Sequence, residues 1–263
     1  MSSTDQPTFI EQLRHLITNA PEGVDVSAIT AALDALASPD EDRTKLWFLL
    51  DRSGSMQRLA EDVIGGFNRF VAEQATKPGK ARMTVVQFDG TDPFEVIYDA
   101  TTVAEIPALT NATYWARGVT PLYDAIGSLI ERADQRIADR AKANKPVEDQ
   151  LVLVFTDGLE NASRRYDRAK VFDLIRERQD SNWTFVFMGS NQDSYQEGHK
   201  IGLVDGNIQD YDSDPMSVNM AFTSMSRSTG EFRGKPRHRR HADKDRFFDD
   251  IKEAEEARRN TRT

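Results

Sequence analysis

Cysteine is absent from all 263 residues. Disulfides, Cys-ligated zinc and iron–sulfur clusters are therefore excluded, and the composition fits a reducing, cytoplasmic compartment. Long apolar runs are missing too, since none approaches the roughly 18–20 residues that span a bilayer. The opening MSSTDQPTFIEQLRHL has neither a basic n-region nor an apolar h-region, so no secretory signal is expected. Histidine is scarce. His15, His199, His238 and His241 are scattered and form no H-E-x-x-H, which speaks against a zinc protease. G-x-x-x-x-G-K-[ST], G-x-G-x-x-G and G-x-S-x-G do not occur, leaving no P-loop, dinucleotide fingerprint or hydrolase nucleophile elbow.

What is present suits a soluble globular chain: 38% hydrophobic and 29% charged residues, enough for one full α/β core. The net charge of −9 is uneven. Residues 227–263 hold 12 basic and 8 acidic groups, whereas the preceding part holds 22 basic and 35 acidic ones. Such a body repels nucleic acid and anionic membrane at long range, and only the tail reverses that.

Residues 1–43 read as an N-terminal helical extension, with FIEQLRHLI and the stretch from Asp25 at helical spacing and a polar connector from Ser38. Apolar strands and amphipathic helices then alternate. Strands are predicted over 46–50, 83–88, 94–98, 151–155 and 183–188, with a weak edge strand over 207–211. Helices are predicted over 57–76, 121–140, 168–179, 192–200 and 215–227. Continuous apolar strands separated by helices imply a doubly wound α/β fold, a mostly parallel central sheet with helices on both faces. The tight turn from Asp89 to Pro93 makes 94–98 a short antiparallel edge strand. RSTGEFRGKPRHRRHADK (227–244) reads as an exposed basic linker and FFDDIKEAEEARR (247–259) as a terminal helix.

Three pieces carry chemistry. The first strand ends in Asp51-Arg52-Ser53-Gly54-Ser55, and alternate residues of an extended loop face the same way, so Asp51, Ser53 and Ser55 present three oxygens together. Gly118-Val119-Thr120-Pro121-Leu122 puts a hydroxyl immediately before a helix, with Pro121 suited to its first turn. Thr156-Asp157-Gly158 puts a carboxylate at the end of another buried strand. Singly, each also reads as an ordinary turn or helix cap. If the two Asp-terminated strands are neighbours, the three loops converge beyond the carboxyl ends of the strands, where open α/β sheets bind ligands. Every donor is a hard oxygen, a set that suits Mg²⁺, or Mn²⁺, better than zinc or copper.

In order and spacing, Asp51, Ser53, Ser55, Thr120 and Asp157 resemble the metal-ion-dependent adhesion site of von Willebrand factor A domains. The resemblance covers roughly residues 44–226. The stretches IGGFNRFV, GVTPLYDAI and TDGLENAS are similar to stand-alone cytoplasmic members from bacteria and phages. Val119 departs from the family, where Gly-Gly-Thr is common. The resemblance implies a Rossmann-like fold, a divalent metal held by those five residues, and a protein partner whose acidic side chain completes the metal's shell. A binding module rather than an enzyme is expected.

Other expectations attach to neighbouring residues. Asp89, Asp92 and Asp99 either widen an acidic rim or are solvated loop carboxylates. Glu160 and Asn161 either orient groups at the site or simply line a polar loop. A metal-assisted phosphoesterase using Asp51 is the first rival, but Ser53 stands where a D-x-D-x-T phosphatase carries its acid/base carboxylate. An EF-hand fails because its required glycine falls at Met56. The second rival is nucleic-acid binding through RGKPRHRRH (233–241), which lacks interleaved aromatic residues for base stacking. Phe247-Phe248-Asp249-Asp250 joins an apolar anchor to two carboxylates. It either packs on the parent domain or offers an acidic ligand to a neighbouring copy.

Overall fold

The computed structural model describes residues 43–181, 183–190 and 194–249, together with residues 17, 19–21, 25–26 and 30. The predicted N-terminal helices lie outside the described residues apart from those few positions. The predicted terminal helix lies outside them from residue 250 onward.

Six strands form one sheet: β1 (Arg43–Asp51), β2 (Lys80–Phe88), β3 (Glu95–Thr102), β4 (Glu148–Phe155), β5 (Trp183–Ser190) and β6 (Ile208–Tyr211). Their order is β3-β2-β1-β4-β5-β6, with every pair parallel except the antiparallel β2–β3 edge. Helices α1 (Ala60–Ala75), α2 (Leu122–Lys142), α3 (Arg168–Gln179), α4 (Ser194–Lys200), α5 (Pro215–Gly234) and α6 (Arg237–Ala242) surround it. Because side chains alternate along a strand, β1 sends Leu46, Phe48 and Leu50 into one core and Trp47 and Leu49 into the other. The first core lies under α1 and α5, the second under α2 and α3. A strand buried on both faces must be apolar throughout, which is why LWFLL shows no alternation. Among the described residues no helix is long and apolar enough to cross a membrane.

The segment from 227 is corrected by the structure. It is not an exposed linker: α5 runs unbroken to Gly234, and α6 folds back after Pro236. Arg233 is buried and donates to the backbone oxygens of Gln74 and Gly79. Arg240 is buried as well. It pairs with Asp149 at 2.9 Å and donates to the carbonyls of Phe232 and Arg233. Positive charge suggested solvent, but these guanidiniums satisfy backbone carbonyls at the sheet's lower end. Phe247 and Phe248 join the first core, so this anchor packs on the parent domain. Breaking a buried pair by removing one partner costs far more than an exposed substitution. Arg240→Ala is expected to lower stability by about 3 kcal/mol in a urea melt. A loss near zero would restore the linker reading.

Candidate metal centre

Strands β1 and β4 are neighbours, with Leu50 opposite Phe155. The chain leaves β1 toward β2 on one side, while β4 pairs on the other, so the switch point lies between their carboxyl ends. Asp51 and Asp157 emerge there, both buried. Ser53 donates its backbone N–H to Asp51 Oδ1 at 2.7 Å, closing the Asp-x-Ser turn. Ser53 Oγ and Ser55 Oγ lie 3.1 Å apart, and Ser55 Oγ donates to Asp157 Oδ1 at 2.5 Å. The first and third loops thus meet through their own oxygens.

The second loop is pinned against them. Gly54 N–H donates to Gly118 O at 3.0 Å, and Arg117 N–H donates to Arg52 O at 2.7 Å. Gly118 adopts φ +72°, a conformation that favours glycine. Thr120 is buried, and its peptide is clamped by Asn161: Thr120 N–H donates to Asn161 Oδ1 and Asn161 N–H to Thr120 O. Helix α2 begins only at Leu122 and has no side-chain cap at its N-cap, Pro121, so Thr120 is not a helix cap. The orphan N–H groups of that turn go elsewhere: Tyr123 N–H donates to Glu160 Oε2 and Asp124 N–H to Ser163 Oγ. Glu160 and Asn161 therefore position the second loop from the third. Asp124 in turn accepts the N–H groups of Arg164, Arg165 and Tyr166, tying the end of that loop to α2.

The structure brings four of the five residues into one hydrogen-bonded group and sets Thr120 beside it. A Cβ added to Gly158 would lie 2.7 Å from Thr120 Oγ1 and 3.5 Å from Ser55 Oγ. Gly158 thus leaves open the space between hydroxyls of the first and second loops. Two carboxylates and three hydroxyls around such a cradle fit a hard divalent cation. Gly158→Ala is expected to weaken Mg²⁺ binding by about tenfold or more in calorimetry, because the methyl displaces Thr120 Oγ1. Unchanged affinity would show that the cradle is not where the ion sits.

Burial raises the pKa of Asp51 from 3.8 to about 7, and the negative charge of Asp157 adds to the rise. Burial raises Asp157 as well, while the Ser55 hydrogen bond opposes it. Two further residues support the corner without having been singled out in the sequence. Thr156 donates Oγ1–H to Asp51 Oδ2 at 2.6 Å, and Tyr114 donates its hydroxyl to Asp51 O at 2.7 Å. Thr156 could have been suspected from its place beside Asp157, whereas no local pattern marks Tyr114.

Asp89 is neither part of an acidic rim nor a solvated loop carboxylate. It is fully buried, accepts from Arg52 Nε at 2.5 Å and Arg117 Nε at 2.9 Å, and caps the β2–β3 turn through the N–H groups of Thr91 and Asp92. Although burial opposes it, these bonds hold the Asp89 carboxyl below the ordinary range. Asp92 accepts Phe94 N–H, and Asp99 pairs with Arg132 on α2.

A doubly wound, mostly parallel sheet with helices on both faces and carboxylates and hydroxyls at its switch point defines an α/β domain of Rossmann-like architecture. The chain belongs to the von Willebrand factor type A domain family, whose sequence model matches residues 46–226. No curated sequence matches the chain. Among solved structures it is similar to proximal thread matrix protein 1 from the mussel byssus (TM-score 0.54, 16% identity, covering 80% of this chain and 53% of that one). It is also similar to the pilus adhesin SpaC from Lactobacillus rhamnosus GG in its open conformation (TM-score 0.54, 11% identity, covering 72% and 30%). A further structure of the mussel protein has a zinc-occupied adhesion-site motif (TM-score 0.49, 16% identity, covering 71% and 48%). The chain spans about half, or less, of the length of these structures.

Proposed function

We propose that this protein is a metal-dependent protein-binding module. In this reading Asp51, Ser53, Ser55, Thr120 and Asp157 hold Mg²⁺ or Mn²⁺, and the domain recognises an acidic side chain on a protein partner. The observation that supports the reading is the corner itself: Asp51, Ser53, Ser55 and Asp157 are linked by hydrogen bonds, and the hydroxyls of Ser55 and Thr120 flank the space beside Gly158. When bound, the ion supplies a Lewis-acidic position for an incoming carboxylate. Three of the five donors are neutral hydroxyls, which preserves the ion's positive charge for that purpose. Asp51 and Asp157 anchor it, and Thr156, Tyr114 and Asn161 keep the loops from moving apart.

The rival readings are less well supported. Asp51 is fully buried and already accepts two hydrogen bonds, from Ser53 N–H and Thr156 Oγ1–H, which blunts it as a phosphoryl nucleophile. The basic segment 233–241 has Arg233 and Arg240 buried, and Arg237 paired with Asp149, so little of it is left to track a phosphate backbone. Phe247 and Phe248 are buried in this chain's own core and Asp249 pairs with Arg246, which argues against self-association through this segment. We therefore place the acidic ligand on another protein, and the cysteine-free composition leads us to place that encounter in the cytoplasm.

Mg²⁺ is expected to raise the melting temperature by mass action, since the unfolded chain lacks the site. Asp157→Ala is expected to abolish the rise while leaving a cooperative melt. An unchanged response in that variant removes the metal assignment. Turnover of a phosphate ester that is lost in Asp51→Asn would instead establish an enzyme.

A further inference from the structure

Seven large hydrophobic side chains are exposed among the described residues, and three of them border the candidate metal site. Val119 is 49% exposed and immediately precedes Thr120. Leu159 is 52% exposed and stands two residues after Asp157. Trp115 is 43% exposed in the loop whose Tyr114 hydroxyl bonds to Asp51 O. All three stand on the loops that carry Thr120 and Asp157, and exposed apolar groups bordering a polar site mark an interaction surface where they form a patch.

Trp115 is exposed yet held. Two guanidiniums lie against its ring, with Arg52 Cζ 5.4 Å and Arg117 Cζ 5.6 Å from the ring centroid. Arg52 is itself buried, bound to Asp89, Glu95 and Gln87, and Arg117 also pairs with Asp89. Cation–π contacts to anchored arginines restrict the ring before any partner arrives. Val119 is seated on the β2–β3 turn: a Cβ added to Gly90 would collide with its Cγ2. Val119 is thereby a positioned isopropyl group at the edge of the second loop. Preorganised aromatic and aliphatic groups lose little entropy on binding, and tryptophan is enriched among residues that dominate interface energy.

We infer that Trp115, Val119 and Leu159 form an apolar rim that selects a protein segment whose acidic residue is flanked by apolar side chains. The inference rests on the function proposed above and adds specificity to it. The occupant follows from the geometry. Any carboxylate entering the Asp51–Asp157 corner carries its own neighbours across the loops that bear these three residues. An apolar neighbour gains contact there, whereas a serine or glycine leaves the rim wet.

The test uses the full chain in saturating Mg²⁺, with saturation established for each variant by its own thermal rise. The probes are short fluorescent peptides with one central Asp and either Leu and Phe or Ser and Gly beside it. The apolar-flanked peptide is expected to bind about tenfold more tightly, with EDTA abolishing both interactions. Leu159→Ser and Val119→Gly should each shrink that preference, and Trp115→Ala should shrink it most. Binding should also change Trp115 emission, since Trp47 and Trp183 are buried. Equal, EDTA-sensitive binding of both peptides overturns the rim and leaves the metal–carboxylate reading standing. A preference unaltered in all three variants also overturns the rim. Failure of every Asp peptide to bind overturns both readings.

Discussion

Asp51→Asn is expected to raise the stability of the metal-free protein at pH 8 and, at the same time, to abolish its response to Mg²⁺. In the proposed reading the two effects have opposite signs because the carboxylate serves an ion rather than the fold. Its pKa is pushed from 3.8 to about 7 by burial first and by Asp157 second. A carboxyl whose folded pKa exceeds its unfolded one favours the fold below the unfolded value, and that contribution is lost as pH rises through the folded value. At pH 8 the metal-free protein therefore bears the full penalty of an ionised buried group, on the order of 4 kcal/mol for about three pKa units. The amide removes that charge and keeps an acceptor for Ser53 N–H. It disturbs the bond from Thr156, at a cost of about 1 kcal/mol. Thermal melts with EDTA and with Mg²⁺ read both effects. A destabilised metal-free variant would make Asp51 structural, and a retained Mg²⁺ response would remove it from the site.

The second large effect is the pH dependence of metal affinity. Ion binding needs Asp51 ionised, so each metal ion displaces a proton wherever the carboxyl is still protonated. Mg²⁺ affinity is expected to be flat above pH 7 and to fall by about tenfold for each unit below it, about 100-fold by pH 5. Asp157 is raised too, and the two carboxyls titrate as a coupled pair, so the slope steepens as pH falls further. Calorimetry at pH 6 in buffers of different ionisation enthalpy should show release of close to one proton. Affinity that does not change between pH 5 and pH 7 would mean that the ion bypasses Asp51. Metal-free stability should move the other way, declining as pH rises toward 8, and Mg²⁺ should reverse that decline.

Much of the site was legible because its signals are local. The D-x-S-x-S spacing suggests three oxygens on one side of an extended loop. In the structure Ser53 is extended but a 3₁₀ turn begins at Gly54, and Ser55 is held by its contacts with Ser53 and Asp157. Thr120 before α2 and Asp157 after β4 stand where the strand and helix patterns put them. The burial of Asp89 is not legible in the sequence, because a carboxylate in a turn looks the same whether it meets water or two arginines from distant loops. The sequence leaves the roles of Glu160 and Asn161 open for the same reason. Their partners, Tyr123 N–H and the Thr120 peptide, belong to another element. Tyr114 and Trp115 carried no pattern at all, since their roles depend on Asp51 O and on two guanidiniums reached only in the folded chain.

The tail shows the same limit from the other direction. RGKPRHRRH has the composition of a solvated linker, and nothing within it says that Arg240 will find Asp149, 91 residues away in sequence. By itself the sequence determined the α/β class, the strands buried on both faces and the helix α3. Each of these follows from the period of apolar residues or from short-range stereochemistry. Tertiary structure alone decided that β1 and β4 are neighbours, that α5 continues past residue 226, and which arginines and carboxylates are sealed inside. Those outcomes depend on which distant surfaces cover one another, and a buried charge is stable only where its partner comes from elsewhere in the chain.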